Sequence, residues 1–195
     1  MTGGVLPVGK INNMKRKTAK EILAESFREI AGIKPINRIT VKDITDNCGY
    51  SPATFYRHFK DKYDLIAYDY VTRTEVIISR IGTGGYGWRD ALYDGMRYFE
   101  ENKAYIRNLL LNTSGIDAFP RNLAITSTAQ LTDCILRSSG MKEIPSDLEI
   151  YIRIYVYGTV QMLCYWLTGE LRCTSVHLAE LFENALPEPL RKYMK

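Results

Sequence analysis

The residues with the most chemistry to offer stand in one run, Ser51-Pro52-Ala53-Thr54-Phe55-Tyr56-Arg57-His58-Phe59-Lys60-Asp61-Lys62. Small side chains lead, a phenol, a guanidinium and an imidazole follow, and two lysines close it. That order suits a helix laid in the major groove of DNA, with its first turns at the base edges and its flanks at phosphates. Ser51, Pro52, Ala53 and Thr54 permit close approach. Ala53 and the Thr54 methyl can pack on thymine methyls, and the Thr54 hydroxyl can reach a base or a phosphate. Pro52 lacks a donor, so this helix offers few polar base contacts. Arg57 can read a guanine if it faces the groove. Lys60 and Lys62 are expected to clamp the nucleic-acid backbone at the helix exit, and Thr40 and Lys42 to do so at the start of a preceding helix. Lys15, Arg16 and Lys17 form a basic arm that can reach an adjacent phosphate or the minor groove.

The surrounding residues supply what such a helix needs. Ser51 is placed to cap an N-terminus, and Pro52 fits the first helical position. Upstream, Thr40 can cap a shorter helix running through Asn47, with Asp43 at the acid-favouring third position. Between the two lies Cys48-Gly49-Tyr50, where Gly49 can turn left-handed at low cost. Ala19, Ile22, Leu23, Phe27 and Ile30 recur at helical spacing, predicting a first helix over about Lys15–Ala31 that Gly32 and Pro35 end. Val41, Ile44 and Cys48 then form the inner side of the second helix, and Phe55 and Phe59 that of the third. The arrangement is a helix-turn-helix. A fourth helix, capped by Asp61 with Asp64 three residues on, is expected to reach about Arg80 and bridge head to body.

In order and spacing, Thr40-Val41-Lys42-Asp43-Ile44, then Gly49-Tyr50-Ser51-Pro52-Ala53-Thr54-Phe55-Tyr56-Arg57-His58-Phe59, then Lys60-Asp61-Lys62-Tyr63-Asp64-Leu65 closely resemble the DNA-binding domain of the TetR family. The resemblance spans roughly Lys15 to Tyr70. It implies that Tyr56 and His58 hold phosphates, and that the C-terminal half makes ligand and dimer contacts. Two heads on a rigid dimer would then read a palindromic double-stranded operator. More narrowly, the region from Tyr155 to Gly169 resembles the C-terminal part of a Firmicutes-type subgroup of regulators similar to DhaS, the co-activator of dihydroxyacetone kinase genes.

Charge follows the same division. Residues 1–62 hold 12 Lys and Arg against 6 Asp and Glu, whereas residues 63–195 hold 14 against 16. A basic third on a near-neutral remainder suits a DNA-contacting head on a body that binds something else. Expected domains are a flexible segment over 1–14, the helix-turn-helix over 15–62, and an effector-binding and dimerisation body over 63–195. Met14 is an alternative start. Cys48, Cys134, Cys164 and Cys173 have no paired spacing and, with only His58 and His177, make no metal set; no metal and no cofactor are expected. Catalysis is not expected either, because no nucleophile, acid–base pair or metal centre assembles from these residues. Reduced cysteines, no signal peptide and no span long enough for a bilayer predict a cytoplasmic protein without membrane contact.

Past residue 63 the pattern stays helical: Trp88–Glu101, Lys103–Leu111, Asp117–Ser139, Ser146–Gly169 and Ser175–Leu186. The fold class expected is all-α, with a three-helix head and a helical bundle, about nine helices in all. Gly82-Thr83-Gly84-Gly85-Tyr86-Gly87 spells the dinucleotide fingerprint, but a helix rather than a strand precedes it, so it reads as an interhelical loop. Ser146–Gly169 is apolar on nearly every side and must be covered all round. Tyr151, Ile154 and Tyr165, with Leu178, Leu181 and Phe182 of the last helix, are the candidates for a homodimer face. Trp88, Met96, Phe99, Tyr105, Leu109, Tyr155, Met162 and Trp166 are candidates for an apolar ligand pocket, with Gln161 as a polar handle. The function expected is a repressor released from DNA by a small-molecule effector. The rivals are a regulator controlled by a protein partner, which would show an exposed apolar patch and no closed cavity, and an architectural DNA binder with no effector.

Overall fold

A computed structural model of the chain describes residues 17–115 and 118–194. The segment 1–14, the pair Lys15 and Arg16, and the helix start expected at Asp117 lie outside the described residues. Among the described residues the elements are ten α-helices and a 3-10 turn after the first of them, with no β-strand. Helix α1 spans Ala19–Ala31. Thr18 starts it: its hydroxyl accepts the Glu21 N–H, and the Glu21 carboxylate accepts the Thr18 N–H at 2.7 Å. That reciprocal box satisfies two N–H groups the first turn cannot, so α1 begins at Ala19. Leu23 and Phe27, four apart, are fully buried.

The sequence pattern held no sign of the 3-10 turn at Ile36–Arg38, which seats Ile36 and Ile39 in the core. Helix α2 covers Val41–Cys48, with a second capping box between Thr40 and Asp43. Helix α3 covers Pro52–His58. Helix α4, Lys62–Ile78, starts on Asp61, whose carboxylate accepts the N–H groups of Tyr63 and Asp64 at 2.8 and 2.9 Å.

The body follows as α5 (Trp88–Glu101), α6 (Lys103–Asn112), α7 (Phe119–Ser139), α8 (Ser146–Thr168), α9 (Ser175–Asn184) and α10 (Glu188–Arg191). The short α10 goes beyond the expected set, and Pro187 and Pro189 stand at its start. Both sit where a first turn needs no N–H partner, and fully buried Leu190 pins the turn. The glycine-rich segment is a closed loop after a helix: Gly82, Gly84 and Gly85 have positive φ, and the Gly82 N–H donates to the Tyr86 carbonyl. Helix α5 packs on α9 and α7 on α8, while α4 lies against α1, α5 and α7. The buried side chains form one continuous core from Leu23 to Met194, crossing residue 62 without a gap.

Candidate nucleic-acid interface and cavity

Phe55 and Phe59 anchor α3 on its inner side, 0 % and 2 % exposed, with ring centroids 5.7 Å apart. Burying two such rings contributes several kcal/mol, about 2–3 each. The turn before α3 is set by Gly49 at φ +74 and by the Tyr50 N–H bond to the Thr45 carbonyl. Helix α2 is tied to α1 through Ser26, which donates to the Ile44 carbonyl at 2.7 Å and accepts from Asn47 at 3.1 Å. With its inner side pinned, α3 turns Ser51, Pro52, Ala53, Tyr56, Arg57 and Lys60 outward, and Tyr56 is 60 % exposed. Thr54 and His58 are half-buried. Among the described residues, the Arg57 guanidinium and the Lys60 ammonium have no side-chain partner, which leaves both charges to the exterior. The Ser51 hydroxyl caps α3 by accepting the Thr54 N–H at 3.2 Å, and lies 3.1 Å from the Thr54 hydroxyl.

The other expected DNA contacts carry partners already. Lys17 pairs with Glu25 at 2.7 Å and Lys42 with Asp46 at 2.5 Å, both on the surface. Exposed pairs of this kind hold weakly and exchange easily for phosphate. The Thr40 hydroxyl donates to Asp43, whose carboxyl is held well below its usual range by the hydrogen bond from Lys34, then by those from Thr40.

Lys62 departs from expectation. Its ammonium donates to the carbonyls of Ile36, Ile39 and Asn37 at 2.8, 2.9 and 3.3 Å. All three protons point into the 3-10 turn, and burial lowers its pKa against the pull of Asp43. In this geometry it is a strut joining α4 to that turn, not a phosphate clamp.

Two further ties join head to body, and neither was legible beforehand. Asn108 of α6 donates to the carbonyls of Ala31 and Lys34 and accepts the Ile36 N–H. Asp69 of α4 is 4 % exposed; it accepts from Arg73 at 3.2 Å and from Tyr105 at 3.3 Å. Arg28 of α1 reaches it only to 3.5 Å, and its Nε is buried with no hydrogen-bond partner among the described residues.

A cavity of about 140 Å³ lies between α4, α5, α7 and α8. Four of the expected residues line it: Trp88, Met96, Phe99 and Tyr155. Five do not. Tyr105 bonds Asp69 under α1, and Leu109 fills core away from the space. Trp166 is buried with its indole N–H on the Cys173 carbonyl, while Gln161 and Met162 face outward from α8. The polar lining comes instead from Tyr70 and Thr74 of α4, Ser127 and Gln130 of α7 and Thr159 of α8. The hint available was a stripe on α4, where Tyr70, Thr74, Ile77 and Ile78 repeat at helical spacing.

On α8, Ile154 is 64 % exposed, and Tyr151 and Tyr165 face the same side; Leu181 of α9 is 45 % exposed. Leu178 and Phe182, expected on that face, are 2 % and 7 % exposed. They lie one turn apart on the side of α9 that packs on α5, and Phe182 walls the cavity. Ile150 and Val176 join the exposed set in their place.

A helix-turn-helix with an outward basic helix, carried on an all-α body, defines a DNA-binding regulator. The model described as "Bacterial regulatory proteins, tetR family" matches residues 22–68, and "Transcriptional regulator C-terminal region" matches residues 87–188. The chain belongs to the TetR family of transcriptional regulators. Its fold is similar to that of "Dihydroxyacetone kinase operon activator DhaS", with 18% identity, a TM-score of 0.64, and coverage of 90% of this chain and 98% of that one. It is similar also to a TetR regulator from Streptococcus agalactiae 2603V (17% identity, TM-score 0.59, 90% and 93% covered). A third, from Rhodococcus sp. RHA1, is 17% identical with a TM-score of 0.57, covering 86% and 96%. No helix among the described residues is long and apolar enough to cross a membrane.

Proposed function

We propose that the protein works as a homodimeric repressor in the cytoplasm, binding a palindromic operator and leaving it when a small molecule occupies the cavity. The observation that carries this is the outer side of α3, where Tyr56, Arg57 and Lys60 stand exposed on a helix fixed from behind by Phe55 and Phe59. Lys17, Thr40 and Lys42 flank it, and Ser51 to Thr54 are small enough to approach base edges. The dimer is supported by the apolar sides of α8 and α9, since exposed Ile, Tyr and Leu side chains repeated along a helix are characteristic of a covered surface. The effector is supported by an apolar cavity reaching α4, the helix that meets the head. Control by a protein partner is a second reading, favoured by a groove of about 510 Å³ between α7 and α8 beside exposed Ile125.

Selection of bound duplexes from a random pool tests the head independently of where the operator lies. The expected product is a palindrome, bound strongly at low salt and weakly at high salt, whose affinity falls at least tenfold, roughly, in Tyr56→Ala as a phosphate contact is lost. Enrichment of no sequence, with equal feeble binding by both proteins, would overturn the operator reading. A palindrome bound but released only on adding cell extract protein would favour the partner reading.

A further inference from the structure

The cavity's own walls narrow what can occupy it, and this inference rests on the effector reading above. Its volume, about 140 Å³, is close to that of an engineered cavity of about 150 Å³ known to admit benzene. Among the described residues, no carboxylate, ammonium or guanidinium lines it, and its ionisable side chains are Tyr70 and Tyr155. Burial pushes both phenols above their ordinary value, so neither offers a counter-charge. A charged ligand would leave water for a space with no partner of opposite sign.

Most of the polar lining is already engaged. The Tyr155 hydroxyl donates to the Phe182 carbonyl and accepts from Trp88, and the Thr159 hydroxyl donates back into its own helix. Gln130 differs. Its Nε2 donates to the Thr74 hydroxyl at 2.8 Å. The Thr74 proton already goes to the Tyr70 carbonyl, so Thr74 must accept here, and the Gln130 amide is oriented with nitrogen toward α4. Its Oε1 and second N–H therefore have no protein partner among the described residues, and the side chain lines the cavity. Beside it, Ser127 lies 3.4 Å from the Tyr70 hydroxyl. These two contacts are the side-chain hydrogen bonds that tie α7 to α4 along the cavity wall.

We infer that the cavity takes a compact, uncharged, largely apolar molecule bearing one hydroxyl or amide donor, received by Gln130 Oε1, and that seating it draws Gln130 away from Thr74. Recognition of the polar group and release of α4 from α7 are then one event. A purely apolar molecule of the same size fills the space without loosening α4.

Titration calorimetry of the full-length protein with benzyl alcohol, toluene and benzoate tests this, with affinity for the selected operator followed in parallel. Benzyl alcohol is expected to bind tighter than toluene, but by less than the roughly 3- to 10-fold value of one neutral hydrogen bond, because its bond to Gln130 is partly offset by the one Gln130 loses to Thr74. Benzoate is expected to bind on the order of 100-fold more weakly or worse. Gln130→Leu should bring benzyl alcohol and toluene to equal affinity. Thr74→Val, nearly isosteric, should tighten the alcohol and raise its preference over toluene towards that full value, because no α4 bond remains to break, and for the same reason the alcohol's effect on operator affinity should shrink. Benzoate within about tenfold of benzyl alcohol, or no binding by any probe, overturns the ligand class. An unchanged alcohol-to-toluene ratio in Gln130→Leu overturns the anchor. The expected binding order without any change in operator affinity upholds the ligand class and overturns the effector reading instead.

Discussion

Replacing Lys62 with Met separates two roles that predict opposite signatures. Met keeps most of the stem and removes the ammonium. Two of the three lost hydrogen bonds are short, at 2.8 and 2.9 Å, and one is long at 3.3 Å. Hydrogen bonds to charged groups contribute about 1.5–3 kcal/mol each. Part of that is offset here, because burial disfavours the charge and lowers the Lys62 pKa. The Ile36 carbonyl also keeps its bond from the Ile39 N–H. A net loss of about 2–3 kcal/mol follows, and at this chain length each kcal/mol moves Tm by about 2–4 °C, giving a fall of roughly 4–12 °C. The salt dependence of operator binding should keep its slope, since no phosphate contact is removed. Were Lys62 a clamp, each head would lose one phosphate at about 0.9 per contact, so the dimer's slope would flatten by about 1.8. Calorimetric scanning with fluorescence anisotropy between about 50 and 200 mM salt reads both quantities. A flattened slope with an unmoved Tm would refute the strut.

Ile154→Glu places two like charges in a face that a two-fold dimer must bury, so sedimentation should show a monomer whose operator affinity is that of one head; an intact dimer would move the interface away from α8. Burial pushes the Cys164 thiol up to about 11, so at pH 8 only about one molecule in a thousand carries the thiolate. Iodoacetamide labelling of the native protein, followed by mass spectrometry, should therefore modify half-buried Cys48 long before Cys164, and equal rates would contradict that burial.

What could be read from the chain beforehand was local, for a physical reason. The caps at Thr40, Ser51 and Asp61 act within three residues of themselves. The left-handed Gly49 and the Phe55/Phe59 pair are likewise decided within one turn. Lys62 was misread because its partners lie 23 to 26 residues away, in a 3-10 turn that no periodicity announces. In the body, periodicity showed which side chains point inward but not whether they meet atoms or space. Trp88, Met96 and Phe99 border the cavity; Tyr105, Leu109 and Trp166 carry the same inward signature and pack solidly. Thr74 was hinted at only by its place in the α4 stripe, and Ser127 and Gln130 were invisible, because a polar residue on a helix ordinarily faces water. On α9 an apolar stripe alone could not divide Leu178 and Phe182 from Leu181, since each apolar side had a plausible neighbour until α5 took one.

The distribution of ties along α4 decides how the head and the cavity can communicate. The helix rises about 1.5 Å per residue, so Lys62 and Thr74 are separated by about 18 Å of one rigid rod. Lys62 grips the 3-10 turn at one end, and Thr74 bonds Gln130 across the cavity at the other. Asp69, midway, stands next in sequence to Tyr70, which lines the cavity. Its bonds to Arg73 and Tyr105 stay within the body, whereas its link to the head through Arg28 stops at 3.5 Å, with Nε lacking a hydrogen bond. The turn itself is held twice, by Lys62 from α4 and by Asn108 of α6, which accepts the Ile36 N–H. A shift of α4 relative to α6 therefore sets the two grips against each other: one of them must carry the turn with it, and the other must give way. Any occupant that favours a displaced α4 is coupled to the head through that conflict, and the coupling can be no larger than its difference in affinity for the two positions.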